Sequence, residues 1–108
     1  MISSAYKLVL EANGYEVEVA ENAAAAIGTD ATLAHDLMLL DLTLPDADGL
    51  TVIDGLSHRG LRPLSILAFT GHSDAATRQR CIEAGCDEVI VKPVPIKELL
   101  RLVAGRVP

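Results

Sequence analysis

The feature that most restricts how this chain can fold is the run Leu37-Met38-Leu39-Leu40-Asp41-Leu42, apolar throughout except for one acid. A strand with one wet face alternates apolar and polar residues. A strand apolar on both faces needs cover on both, as the central strands of parallel sheets have. Segments of helical and strand-like periodicity alternate along the chain around this run, which predicts an α/β domain built on a parallel sheet. At 108 residues there is room for one such domain. Its core must be aliphatic, since the chain has no Trp, two Tyr and one Phe.

Ser3 or Ser4 is suited to cap a first helix with the apolar stripe Ala5, Leu8, Val9 and Ala12, closed by Asn13-Gly14. Tyr15, Val17 and Val19 alternate with Glu16 and Glu18, the pattern of an edge strand with one face in water. Asn22 caps a short helix through Ala23 to Ile27. After the apolar run, Leu44-Pro45-Asp46 breaks into a loop, and a third helix runs from Leu50 to near Gly60 with Ile53 and Leu56 inward. A strand from Ser65 to Phe69 stops at Thr70-Gly71, and a helix from Asp74 to Ala84 stops at Gly85. Val89-Ile90-Val91 is a short strand that delivers Lys92-Pro93. Pro95 opens a last helix with the stripe Ile96, Leu99, Leu100 and Val103. Four strands are expected.

Asp41, Thr70 and Lys92 fall at the C-terminal ends of three of these strands. Open parallel sheets bind ligands in the crevice at that rim. An acid at the end of an apolar strand costs desolvation unless something uses it. A carboxylate, a hydroxyl and an ammonium at one rim can accept and hold a phosphoryl group. The carboxylate is the nucleophile, giving an aspartyl phosphate, and the other two bind the phosphoryl oxygens. By contrast His35, His58 and His72 are scattered, and Cys81 and Cys86 have no further ligand near them, so they read as small core thiols. A formal charge of −6, with 15 acids against 9 Lys and Arg, argues against direct nucleic-acid binding. No apolar run reaches membrane length and no basic and apolar export signal opens the chain, so a cytoplasmic domain is expected.

The motifs, taken in order, resemble a known family. Leu39-Leu40-Asp41-Leu42-Thr43-Leu44-Pro45-Asp46-Ala47-Asp48-Gly49 resembles the phosphoacceptor strand and loop of response-regulator receiver domains. Phe69-Thr70-Gly71 is similar to their switch-threonine turn, and Glu83-Ala84-Gly85-Cys86-Asp87-Glu88 with Val91-Lys92-Pro93 to the segment ending in their lysine and cis-proline. Asp41 and Thr70 lie 29 residues apart, Thr70 and Lys92 a further 22, as in that family. The resemblance covers essentially the whole chain, and in style the second half is closest to receivers of hybrid histidine kinases. It implies a flavodoxin-like doubly wound sheet of strand order 2-1-3-4-5 and two-component signalling. It also implies a phosphoryl group taken by Asp41 from a histidine kinase or phosphotransfer protein. Thr70, the Gly71 backbone N–H and Lys92 would bind that group, and Asp41 with the Thr43 carbonyl would face Mg²⁺.

Receivers open with an apolar strand ending in two adjacent acids that help bind the metal. This chain opens at Met1-Ile2-Ser3-Ser4, already at the first helix, so residues 1–108 read as an N-terminally truncated receiver with no output domain. One carboxylate and one carbonyl are too little for an octahedral oxygen-loving ion, so Mg²⁺ is expected weak or absent and phosphorylation impaired. Val89 stands where receivers carry a Tyr or Phe that follows the threonine. The alternative is therefore a phosphorylation-independent binding module on the same fold. A haloacid-dehalogenase-type phosphatase needs a second Asp where this chain has Thr43, so no enzyme is expected. Loss of the central strand leaves a gap that the Tyr15–Val19 strand closes by sliding across, or that another chain fills. Glu16 and Glu18 suit a wet edge, which favours a homo-oligomer through the exposed sheet centre. Asp46 and Asp48 read as solvated loop acids.

Overall fold

Three parallel strands, β1 (Leu37–Asp41), β2 (Ser65–Thr70) and β3 (Glu88–Val91), lie side by side in chain order. The computed structural model describes residues 4–72 and 74–107. Leu39 stands opposite Leu67, Asp41 opposite Phe69, and Thr70 opposite Val91, so all three strands end at one rim. β2 is the centre: five of its six residues are buried, against two of five in β1.

Five helices complete the chain: α1 (Ser4–Ala12), α2 (Ala23–Ile27), α3 (Thr51–His58), α4 (Ala75–Ala84) and α5 (Ile96–Ala104). α2 and α3 pack Ala23, Val52, Ile53 and Leu56 against Leu40 and Ile66 on one face of the sheet. On the other face Leu10 of α1 and Leu99 and Val103 of α5 meet Phe69 and Val94. The local signals act as their chemistry requires. Asn22 accepts the Ala25 N–H at 2.7 Å and Asp74 the Thr77 N–H at 3.0 Å, each satisfying a helix-start donor. Gly85 ends α4 at φ +95°, a conformation that a side chain disfavours. Pro95 stands just before α5 rather than as its first residue. No described helix is long and apolar enough to cross a membrane.

Two expectations are corrected. The sheet has three strands among the described residues, not four, because the Tyr15–Val19 segment forms no ladder. Its alternation still turns Tyr15 and Val17 onto the α1–α5 core, but hydrogen bonds need a neighbouring strand, and among the described residues none stands beside it. Between this segment and β1 lies a cleft of about 890 Å³. The gap is neither closed by sliding nor paired within the described chain. The buried face of α1 also differs from the expected stripe. Leu8 is 69% exposed and Ala12 exposed, while Tyr6 and Leu10 face the core. Tyr6 is bulkier, and its hydroxyl donates to the Val94 carbonyl at 3.0 Å, which fixes the rotation of the helix. The Ser3 cap lies outside the described residues, as do the side chains of Ser4 and Ala5.

Candidate functional site

Asp41 ends β1 because the apolar run that makes the strand buried carries it to the rim. It is 8% exposed. Its Oδ1 accepts the Thr43 N–H at 2.9 Å, and its Oδ2 meets the Lys92 Nζ at 2.5 Å. Lys92 follows β3, so its side chain crosses the end of β2 to reach β1, two strand spacings or roughly 10 Å. Burial by itself would raise the Asp41 pKa. Favourable contacts, with the Lys92 ammonium first and the Thr43 N–H among them, outweigh it and hold the carboxyl below the ordinary aspartate range. The group is therefore an anion at neutral pH, as a carboxylate nucleophile must be.

Thr70, buried at the end of β2, accepts the His72 N–H on its hydroxyl at 3.0 Å. Its carbonyl accepts the Lys92 N–H at 2.8 Å, which sets the lysine backbone beside it. Gly71 lies in the exposed turn between them. The Lys92-Pro93 peptide is cis, as the resemblance implied. Asp41, Thr70, Gly71 and Lys92 thus share one rim, and Thr43 joins them through its N–H.

The loop after β1 holds residues whose parts sequence reasoning missed. Gly49 donates to the Leu42 carbonyl at 2.9 Å, and a Cβ there would stand 2.2 Å from the Asp41 carbonyl oxygen. Only glycine lets the loop fold back so closely onto Asp41. Asp46 and Asp48 are not merely solvated. Asp46 accepts the Ala23 and Ala24 N–H groups at 2.8 and 3.0 Å, and these contacts lower its pKa. Asp48 accepts the Leu50 N–H at 3.0 Å and pairs with Arg80 of α4. Asp87 accepts the Ile66 N–H at 2.7 Å, closing the start of β2. An acid just before an apolar helical stripe was the available signal for Asp48; the contacts of Asp46 and Asp87 are long-range and carry no local one.

The three histidines make separate contacts: His35 with Glu18, His58 with the Asp54 carbonyl, and His72 with Thr70. Cys81 and Cys86 are free thiols, and burial pushes Cys86 up to about 12, leaving it protonated. Among the described residues no three His, Cys, Asp or Glu side chains converge. Mg²⁺ favours six oxygens in an octahedron, and among the described residues Asp41 has both carboxylate oxygens engaged, by the Thr43 N–H and Lys92, with no further such side chains converging on it. The donors among the described residues do not fit the ion.

The response regulator receiver domain family matches residues 1–104. The transcriptional regulatory protein KdpE of Mycobacterium tuberculosis is 31% identical over 99 residues, covering 92% of this chain and 43% of that protein. The chain thus spans less than half the length of that curated relative. The non-phosphorylated HemR receiver domain of Leptospira biflexa superposes at a TM-score of 0.81 with 33% identity, covering 94% of this chain and 81% of that one. The receiver domain of the sensor histidine kinase PA1611 of Pseudomonas aeruginosa superposes at 0.79, covering 95% and 85% of the two chains. At 24% identity it speaks for the fold alone, and its structure has a magnesium ion in the active-site cleft.

Proposed function

The chain belongs to the response regulator receiver domain family, and we propose that its phosphoacceptor is Asp41, served by a histidine kinase or phosphotransfer protein. Receiver domains act in two-component signalling and are phosphorylated on an aspartate, generally with Mg²⁺ bound. In the proposed step a bond forms between an Asp41 carboxylate oxygen and phosphorus as the bond from phosphorus to the donor imidazole nitrogen breaks. Lys92 then moves its charge from Asp41 onto the phosphoryl oxygens. The Thr70 hydroxyl turns from His72 to donate to the same group, and the Gly71 N–H joins them. The observation that carries this reading is the Lys92–Asp41 contact at 2.5 Å across the end of β2. It brings together a nucleophile and the cation that would hold its product.

Transfer is slow in this reading, because Asp41 and the Thr43 carbonyl hold Mg²⁺ weakly and leave charge on the transferred group poorly neutralised. Residues 1–108 act as one receiver unit in the cytoplasm, without direct contact to nucleic acid or membrane. A second reading, a pseudo-receiver that binds partners without phosphorylation, is favoured by half-buried Val89, which is too small to follow Thr70 as an aromatic ring would. Incubation with acetyl phosphate and Mg²⁺ followed by intact-mass spectrometry tests the two. A slowly gained, substoichiometric phosphoryl group that disappears in Asp41→Asn supports the receiver. No gain at any Mg²⁺ concentration supports the pseudo-receiver, and rapid complete labelling overturns the impairment. Association of copies through the exposed sheet centre has the open side of β1 as its basis. Pairing two such edges, however, sets acidic walls against each other.

A further inference from the structure

We propose that Cys81 and Cys86 form a peroxide-sensitive pair, closing to a disulfide that ties the last turn of α4 to the chain entering β3. The turn that ends the helix is shaped for such a link. Gly85 takes φ +95°, and this reversal lets the Cys86 N–H donate to the Cys81 carbonyl at 2.9 Å. Covalent geometry on either side of that contact leaves the two Cα atoms at most about 6.8 Å apart, within the span of a disulfide. Helix ends of this kind bring the two bonded residues' side chains together, commonly as an apolar contact. Here both members are free thiols, and they meet each other. Arg62 holds the same turn from outside. Its guanidinium donates to the Gly85 carbonyl at 3.0 Å and lies where a Cβ on Gly85 would clash with it.

The two thiols differ in access, which assigns the order of events. Cys81 is fully buried and Cys86 half-buried. Hydrogen peroxide is small enough to reach Cys86, whose thiolate attacks it. A sulfur–oxygen bond forms, the O–O bond breaks, and the hydroxide that leaves takes up the Cys86 proton as water. The Cys81 sulfur then attacks the sulfenic sulfur of Cys86. The disulfide bond forms, the S–O bond breaks, and the hydroxyl leaves as water with the Cys81 proton. Two electrons pass from the thiols to the peroxide. Of the groups facing Cys86, the Arg62 guanidinium favours the thiolate, whereas burial, Cys81 and Asp87 disfavour it and prevail. The first step is therefore slow at neutral pH and quickens as the pH rises. Cys81 is also the side chain that α4 buries among its described residues, so the link acts where the helix is anchored. This inference is independent of whether Asp41 is phosphorylated.

Treating the folded full chain with hydrogen peroxide, then alkylating in urea and digesting with trypsin, tests it. The fragment of residues 81–97 holds both cysteines and neither methionine. It should escape alkylation and weigh about 2 Da less than the dithiol form. Its rate of formation should not depend on protein concentration and should rise about tenfold for each pH unit above neutrality. A dithiol reductant should restore both alkylation sites. Cys81→Ser should stop at a sulfenic acid on Cys86, trapped by dimedone, and Cys86→Ser should leave buried Cys81 unoxidised. In the parent chain, oxidation should slow amide hydrogen exchange in Ala75–Ala84 by at least about tenfold. Thiols that stay free in the folded chain under peroxide that oxidises the urea-unfolded chain would overturn the inference. So would a fragment that gains oxygen instead of losing hydrogen, links between chains, or unchanged exchange in α4.

Discussion

Burial alone would make Asp41 a weaker acid, because low-dielectric surroundings penalise the charged form. The lowered pKa means that the contacts to Asp41, Lys92 first and the Thr43 N–H among them, more than offset that cost. A carboxyl whose pKa is lower in the fold than in the unfolded chain adds stability above its unfolded pKa. That contribution is lost as the pH falls through the lowered, folded value. The carboxylate therefore stabilises the fold at neutral pH, whereas the apolar run alone suggests an acid that only costs desolvation. In urea melts Asp41→Asn should be less stable than the parent near neutral pH, by a modest amount because Lys92 is 42% exposed in its side chain. The difference should close in acid, below the ordinary aspartate range. A gap constant with pH, or an asparagine variant more stable at neutrality, would mean that desolvation outweighs the pair.

α2 shows how an element with little support of its own is kept. Five residues are too few for a helix to persist in isolation. The loop after β1 supplies Asp46 to its N-terminal N–H groups, and Arg59, just past α3, donates to the carbonyls of Ile27 at 2.5 Å and Thr29 at 2.9 Å. Ile27 closes the contact against Gly55, where a Cβ would stand 2.6 Å from its side chain. Asp46→Ala and Arg59→Ala should each speed amide hydrogen exchange in Ala23–Ile27 while leaving α5 unchanged. Exchange unchanged in both variants would assign the helix to apolar packing alone. This element also shows what the sequence discloses. The Asn22 cap is legible because it serves a donor three residues on. The Asp46 cap is not, because its donors lie 23 and 22 residues back along the chain. The rim of Asp41, Thr70 and Lys92 is legible for a different reason: parallel strands bring their C-terminal ends to one side whatever the loops do.

For the whole molecule, the order of the last three strands follows from the alternation of patterns, but the strand count does not. An alternating segment such as Tyr15–Val19 records which side chains turn inward, not whether a neighbour is within hydrogen-bonding reach. The face of α1 was missed similarly, because a stripe of Leu8, Val9 and Ala12 and one of Tyr6 and Leu10 are both helical, and only the packing partners choose. The outcome is a sheet whose burial peaks at β2 and falls off toward β1. Leu67 is fully buried and Ile66 1% exposed, whereas Leu39, in register with Leu67, is half-buried on the cleft wall. Truncating a buried leucine removes its transfer energy and leaves a cavity, whereas a side chain beside open space leaves no new void. Leu67→Ala should therefore cost about 2–5 kcal/mol, and Leu39→Ala should fall below that range. Both are read from denaturant midpoints at unchanged slope. If Leu39→Ala alone already matches Leu67→Ala, the cleft is closed in solution and β1 is not an edge.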